Sequence, residues 1–267
     1  MLGGLTEKDS RFRATAVVLG IGLLSLLIVQ FAVIPALLID LDVVFNPGEA
    51  APSAIMVMLV MNFIGLALGG VAYLVITGRS RSWLDIKIPT LRDWVWIVGG
   101  IIVLFVFYLL VGIGSTLLDV EAAESEVILL LQDDLMLVLG MIVVVWLFNA
   151  PAEEFLFRNV MQKRLYAAFS DWGAILMTSV IFMLFHIPAY IGLAESILAT
   201  LVSLTVMLGG SILFGYLYLK TENLIVPTVA HAGINTIQLL IFLSTLVFDI
   251  DPDEMAMGVI VTLVGMV

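Results

Sequence analysis

Only two histidines occur in this chain, His186 and His231, and both sit inside long apolar runs. A third apolar run ends in Glu153, Glu154 and Arg158. A charge at a bilayer centre costs about 2.5–3.5 kcal/mol on insertion scales, so ionisable groups at membrane depth point to function by default. Spacing gives each group a job. Glu154 and Arg158 stand at i, i+4 and share a helix face on which they can pair. Glu153 lies about 100° round the same helix, free to point into a bundle. His231 and Asn235 are again at i, i+4. A carboxylate, an imidazole and an imidazole-plus-amide face are what water-mediated peptide hydrolysis needs. One group takes the proton from water, and others donate hydrogen bonds to the developing oxyanion.

The elements that must bring these groups together are membrane spans. The chain has 267 residues, 62% of them hydrophobic and 12% charged, with mean hydropathy +1.19. A soluble domain is about 45–50% apolar and about 25% charged. The expected fold class is therefore all-α, a polytopic transmembrane helix bundle in contact with membrane lipid. It is expected as one integral membrane domain over 1–267, with a motif-bearing core at about 135–245. Apolar runs near 14–39, 54–77, 94–118, 135–152, 172–188, 196–219 and 224–248 predict seven spans. A short C-terminal hydrophobic segment, 255–267, reaches only about 20 Å against a hydrocarbon core of about 30 Å; eight spans is the alternative count. There is no cysteine, hence no disulfide and no thiolate nucleophile. With 11 Lys+Arg against 22 Asp+Glu, nucleic acid is not an expected partner. No A-x-A-like cleavage site follows the first apolar run, which is expected to stay in place.

Charge assigns the faces. All 11 basic residues, from Lys8 through Arg79, Arg92, Arg158 and Lys163 to Lys220, fall on the side of the N-terminus. The opposite loops hold 14 acids, Asp40, Glu49, Asp119, Asp134 and Asp251 among them, and no base. By the positive-inside rule the N-terminus is cytoplasmic, and the plasma membrane is the expected location. Depth then tests whether the polar groups can meet. His186 lies 14 residues, about 21 Å, beyond Trp172. Were span 4 to stop at 152, Glu153 would miss it. Were helix 4 to run to about Tyr166, Glu153 would stand about 20 Å above its end, level with His186. Co-location therefore predicts a long fourth helix, interrupted or kinked near Pro151.

Three motifs carry a family resemblance. Glu153-Glu154-Phe155-Leu156-Phe157-Arg158 reads EExxxR, Phe182 to His186 reads FxxxH, and His231 to Asn235 reads HxxxN. In that order, in three apolar segments, the chain resembles the CPBP intramembrane proteases: type II CAAX prenyl endopeptidases, bacteriocin self-immunity proteins and lysostaphin-resistance-A-like proteins. The resemblance implies a membrane-embedded endopeptidase whose site opens toward the cytosol. It implies Glu153 as general base acting on water together with His186. It implies His231 and Asn235 as the oxyanion-stabilising pair, and Glu154 with Arg158 as the groups that orient the site. The metal question stays open. Glu153, His186 and His231 could supply three zinc ligands with a fourth position free, yet no H-E-x-x-H occurs, and a metal-free glutamate-dependent mechanism is the alternative. The implied partner is a peptide or protein substrate, a prenylated C-terminal tail being the best-known class.

Other residues read as structural. Gly65 and Gly69, and likewise Ser211 and Gly215, form small-xxx-small pairs expected to pack helices within the bundle. Asn62 and Asn149 read as packing or kink residues, and Trp83, Trp94, Tyr166 and Tyr190 as an interfacial belt. Two other functions compete. One is a transporter or proton relay, which would need a polar trail across the bilayer that the sequence does not display. The other is a non-catalytic immunity or scaffold protein on the same fold.

Overall fold

A computed structural model describes residues 10–248, apart from 121, 124, 132, 133, 193 and 195. The apolar piece 255–267 lies outside the described residues. Among the described residues seven helices are long and apolar enough to cross a membrane. They are span 1 (Arg11–Leu37), span 2 (Pro52–Ile76), span 3 (Leu91–Leu117), span 4 (Leu135–Leu165), span 5 (Asp171–Tyr190), span 6 (Ile197–Thr221) and span 7 (Ile225–Phe248). No strand occurs among the described residues. The chain is an all-α polytopic bundle. Its outer surface is apolar: Leu23, Val95, Val143 and Leu201 are all more than half exposed, a surface that lipid solvates and water does not.

Local chemistry starts the helices where the sequence allows. Ser10, Thr90, Asp134, Ser170 and Ser196 each accept a backbone N–H of the first turn that follows, satisfying donors that no helix can pair internally. Both small-residue pairs serve packing within the chain. A Cβ on Gly69 would fall 2.7 Å from the Cα of Ser25, so spans 1 and 2 touch backbone to backbone there. Gly215 gives span 6 the same closeness to span 4, where a Cβ would meet Gln162 Oε1 at 2.8 Å.

Contacts between connections identify the two ends of the bundle. At one end Arg11 lies over Phe169, and the 77–90 connection lies against spans 4, 6 and 7: Asp85 Oδ2 accepts from Lys163 Nζ at 2.6 Å, and its carbonyl accepts from the backbone N–H of Leu224. This end carries the basic residues. At the other end Ser203 of span 6 donates to the carbonyl of Ala123 in the 118–134 connection. Trp83, expected in an interfacial belt, is sandwiched at the basic end, with Arg79 and Lys163 within 4.5 Å of its ring centroid.

Span 4 is the long helix that the depth argument requires, 31 residues through Pro151. It is not broken there. Its backbone bonding widens from i→i+4 to i→i+5 over Val145–Asn149 and again over Phe155–Gln162. Proline has no N–H to give, and widened turns absorb that loss while rotating the following side chains. Such π-helical segments recur at functional sites.

Candidate active site

The turn between the two widened segments carries Glu153 and Glu154 into the interior, where their exposures are 7% and 0%. Both Glu154 oxygens are engaged. Oε2 accepts from Arg158 Nε at 2.9 Å, and Oε1 accepts from His231 Nδ1 at 2.9 Å. Arg158 is itself fully buried and donates through Nη2 to Ser211 Oγ at 2.9 Å. The expected Glu154–Arg158 pair is therefore present, and it extends across to span 7.

His231 is fixed on three sides. Glu154 takes its Nδ1, and its ring stacks on Phe214 with centroids 4.6 Å apart. Its Nε2 is left facing Glu153 Oε2 at 3.9 Å. One turn on, Asn235 Nδ2 donates to Asn149 Oδ1 at 3.3 Å, and Asn149 Nδ2 donates to Glu153 Oε1 at 3.1 Å. The carboxamide of Asn149 thus joins the candidate base to the candidate oxyanion amide. His186 lies against Phe182, and its Nδ1 stands 2.8 Å from the Phe182 carbonyl. A carbonyl oxygen only accepts, so Nδ1 donates this bond, and a ring protonated there alone has its lone pair on Nε2.

Glu153, His186, His231 and Asn235 line one cavity of about 140 Å³. Glu154 and Arg158 stand behind that wall. A second cavity, of about 150 Å³, reaches Glu153 and His186 from between spans 1, 2 and 5, past Leu26, Val29, Leu66 and Phe185. As a zinc site the expected donors do not fit. Among the described residues no three His, Cys, Asp or Glu side chains gather closely enough to hold one ion. Glu153 and His231 approach each other to 3.9 Å; the misfit lies in the spacing of the three donors, not in the ring of His186, whose Nδ1 bond to a backbone carbonyl is one that a ligating histidine commonly makes.

Three wall residues escaped the sequence reading. Asn149, taken for a kink residue, makes two buried side-chain bonds. Tyr190, assigned to an interfacial belt, is 1% exposed and lines the first cavity. Ser211, taken for packing alone, holds Arg158. A signal existed for the first two: Asn149 stands four residues before Glu153 and Tyr190 four after His186, the spacing that already joined 154 to 158 and 231 to 235. The wall of the first cavity climbs to Ser125 and Val127 in the 118–134 connection, at the end away from the basic residues.

Residues 135–237 match the family model for Rce1-like, type II CAAX prenyl endopeptidases. All seven fixed positions of the three motifs fall within that match. No curated protein and no solved structure matches the chain.

Proposed function

We propose, on the premise that residues 135–237 are an Rce1-like segment of the CAAX prenyl endopeptidase type, that this protein hydrolyses a peptide bond inside the membrane by direct attack of water. The single observation that carries the reading is the cavity wall on which Glu153, His231 and Asn235 stand together, opposite His186. Water held between Glu153 and the Nε2 lone pair of His186 gives its proton to the carboxylate as its oxygen attacks the carbonyl carbon. Asn235 spends one N–H on Asn149 and has the other for the developing oxyanion. His231 donates from Nε2 once that nitrogen carries a proton, since Nδ1–H is committed to Glu154. The proton on Glu153 then passes to the leaving amine as the C–N bond breaks. Glu154 and Arg158 act behind the wall, holding the His231 ring in place. No step is routed through a metal.

The substrate class we infer is a lipidated or membrane-associated peptide. The second cavity is walled mainly by Leu, Val and Phe side chains and ends at Glu153 and His186, so an apolar chain seated there would lie beside the bond to be cut. An integral membrane location follows from the seven spans. The positive-inside rule supports a cytoplasmic N-terminus, and the plasma membrane is the location that we propose. The test is cleavage of a panel of lipidated fluorogenic peptides by the purified protein, beside Glu153→Ala and His231→Ala. Loss of a general base costs about 10²–10⁴ in rate and loss of an oxyanion donor about 10²–10³. Equal cleavage by all three proteins would refute the assignment.

A second reading has one observation in its favour. A buried polar trail does run down span 4: Asn149, Glu153, Arg158, Asn159 and Gln162 precede Lys163, which pairs with Asp85. Pumps and proton relays use such trails. Here the lower part is tightly packed and tied by hydrogen bonds, Asn159 to Tyr218 and Arg158 to Ser211. A pH gradient dissipated by protein-containing liposomes, and not by Glu153→Gln liposomes, would favour the relay.

A further inference from the structure

Asn62, read from the sequence as a packing or kink residue, stands ten residues from Pro52 and fourteen from Ile76 in span 2. Those intervals are about 15 Å and 21 Å of helix rise, which sets a carboxamide near the middle of the hydrocarbon core. It lines the second cavity, where Glu153 and His186 are the other polar residues of the wall. Its side chain is partly buried, and among the described residues none bonds to its carboxamide. Asn149 and Asn235, the amides of the first cavity, are both engaged. An amide without a partner in apolar surroundings is costly, and packing does not account for it. Gly65 and Gly69 already bring span 2 onto Val29 and Ser25 of span 1, and Gly70 brings it onto Phe155 of span 4. Asn62 stands three and seven residues before the first pair and eight before Gly70, so it points into the crevice between those two neighbours. The cavity lies in that crevice.

We infer that Asn62 binds the backbone of the peptide to be cut, Oδ1 accepting one backbone N–H and Nδ2 donating to one backbone C=O. This deepens the endopeptidase reading and rests on it for the ligand being a peptide. Phe63, Glu153 and His186 border both cavities, so a chain whose apolar part is seated in the second must pass Asn62 close to the general base. A peptide that leaves water for an apolar wall needs new partners for its N–H and C=O groups. Glu153 and His186 are taken up with the attacking water. A carboxamide carries a donor and an acceptor side by side, the complement of one peptide unit. It touches no substrate side chain in this role, so it fixes the register of the chain and not its sequence. A proline at that register, which has no N–H, is excluded.

The test uses the purified full chain and an S-farnesyl, fluorescein-labelled peptide, with a series in which each backbone N–H in turn is replaced by an ester oxygen. Binding is read by fluorescence anisotropy, and cleavage separately, for wild type, Asn62→Leu and Asn62→Ala. The two variants separate loss of the carboxamide from mere filling of the cavity, and either decides if the other fails to fold. Both are expected to weaken binding about tenfold, the size of one or two neutral hydrogen bonds, and to raise KM alike with kcat little changed. One ester is expected to cost wild type about as much and to cost the variants nothing further, because its partner is already gone. Equal binding by all three proteins overturns the inference. So does a series in which every ester costs the same in all three, a loss confined to kcat, or a wild type that does not bind the peptide. Binding without cleavage by wild type would overturn the endopeptidase reading and leave Asn62 decided by the ester series. Cleavage with no effect of Asn62 would overturn the assignment of Asn62 alone.

Discussion

Removing Arg158 tests the buried polar centre most directly. Its guanidinium is wholly inside the bundle, 2.9 Å from Glu154 through Nε and 2.9 Å from Ser211 through Nη2. In Arg158→Met, Glu154 keeps its charge but retains only the His231 ring as partner. Stripping one partner from a buried ion pair costs about 3–5 kcal/mol, because the remaining charge has neither solvent nor counter-ion. Replacing both charges together is far milder, and often neutral. The double variant Arg158→Met with Glu154→Gln is therefore expected to recover about 2 kcal/mol or more relative to the sum of the single changes, within the coupling range for residues that share a network. The assay is equilibrium unfolding in mixed micelles with increasing SDS fraction, on wild type, both singles and the double. Additive losses would refute the pairing. So would an Arg158→Met protein within about 1 kcal/mol of wild type, since surface ion pairs are worth no more than that.

Asn149→Leu removes both carboxamide bonds at similar volume; cleavage is expected to fall by about 10–10² through kcat with KM little changed, bounded above by the 10²–10³ that an oxyanion donor contributes. A kinetic split falling on KM instead would place Asn149 in binding. Gly69→Ala forces a Cβ to within 2.7 Å of the Ser25 backbone and is expected to cost about 1–3 kcal/mol, while Gly48→Ala, in open space, leaves the same unfolding midpoint as wild type. Exhaustive dialysis against a chelator is expected to leave peptide cleavage unchanged, since among the described residues no three such donors stand close enough to hold one ion; loss restored by zinc would refute this. Asp40, in the connection after span 1, accepts the backbone N–H groups of Ala51 and Asp42, which hold its carboxyl below the usual carboxylate range. A lowered folded-state value means that its stabilisation is full above the unfolded value of about 3.9 and is lost as pH falls through the folded one. Asp40→Asn is expected to flatten the acid limb of stability below pH 4, and an unchanged limb would refute that.

Much of this molecule was legible because membrane spans are written in bulk hydropathy and helix rise is a fixed length. The expected spans agree with the seven helices to within a few residues, except at the far end of span 4. There the rise of 1.5 Å per residue settled what composition could not, because Glu153 and His186 share a level only on a long fourth helix. What the sequence left hidden depends on the widened turns around Pro151. Asn149 and Glu153 stand on adjoining sides of that proline, and a polar amide before a proline reads as a kink unless the partner helix is known. Asn235, the partner, is 86 residues away. Tyr190 was misread for a related reason: a tyrosine at a helix end looks the same whether its ring faces the membrane interface or a buried cavity. The layer beneath the cavity was hidden most completely. Motifs name the residues of the cavity wall, but the packing below them depends on Arg158, Asn159 and Gln162 turning inward together, and on Asp85 reaching Asn159 and Lys163 from another connection. These residues look like topology determinants and ordinary loop polarity when read one at a time. Their assembly into one buried polar layer behind the cavity is a property of packing between helices and a connection far apart in the chain, and no motif within a single helix can spell it out.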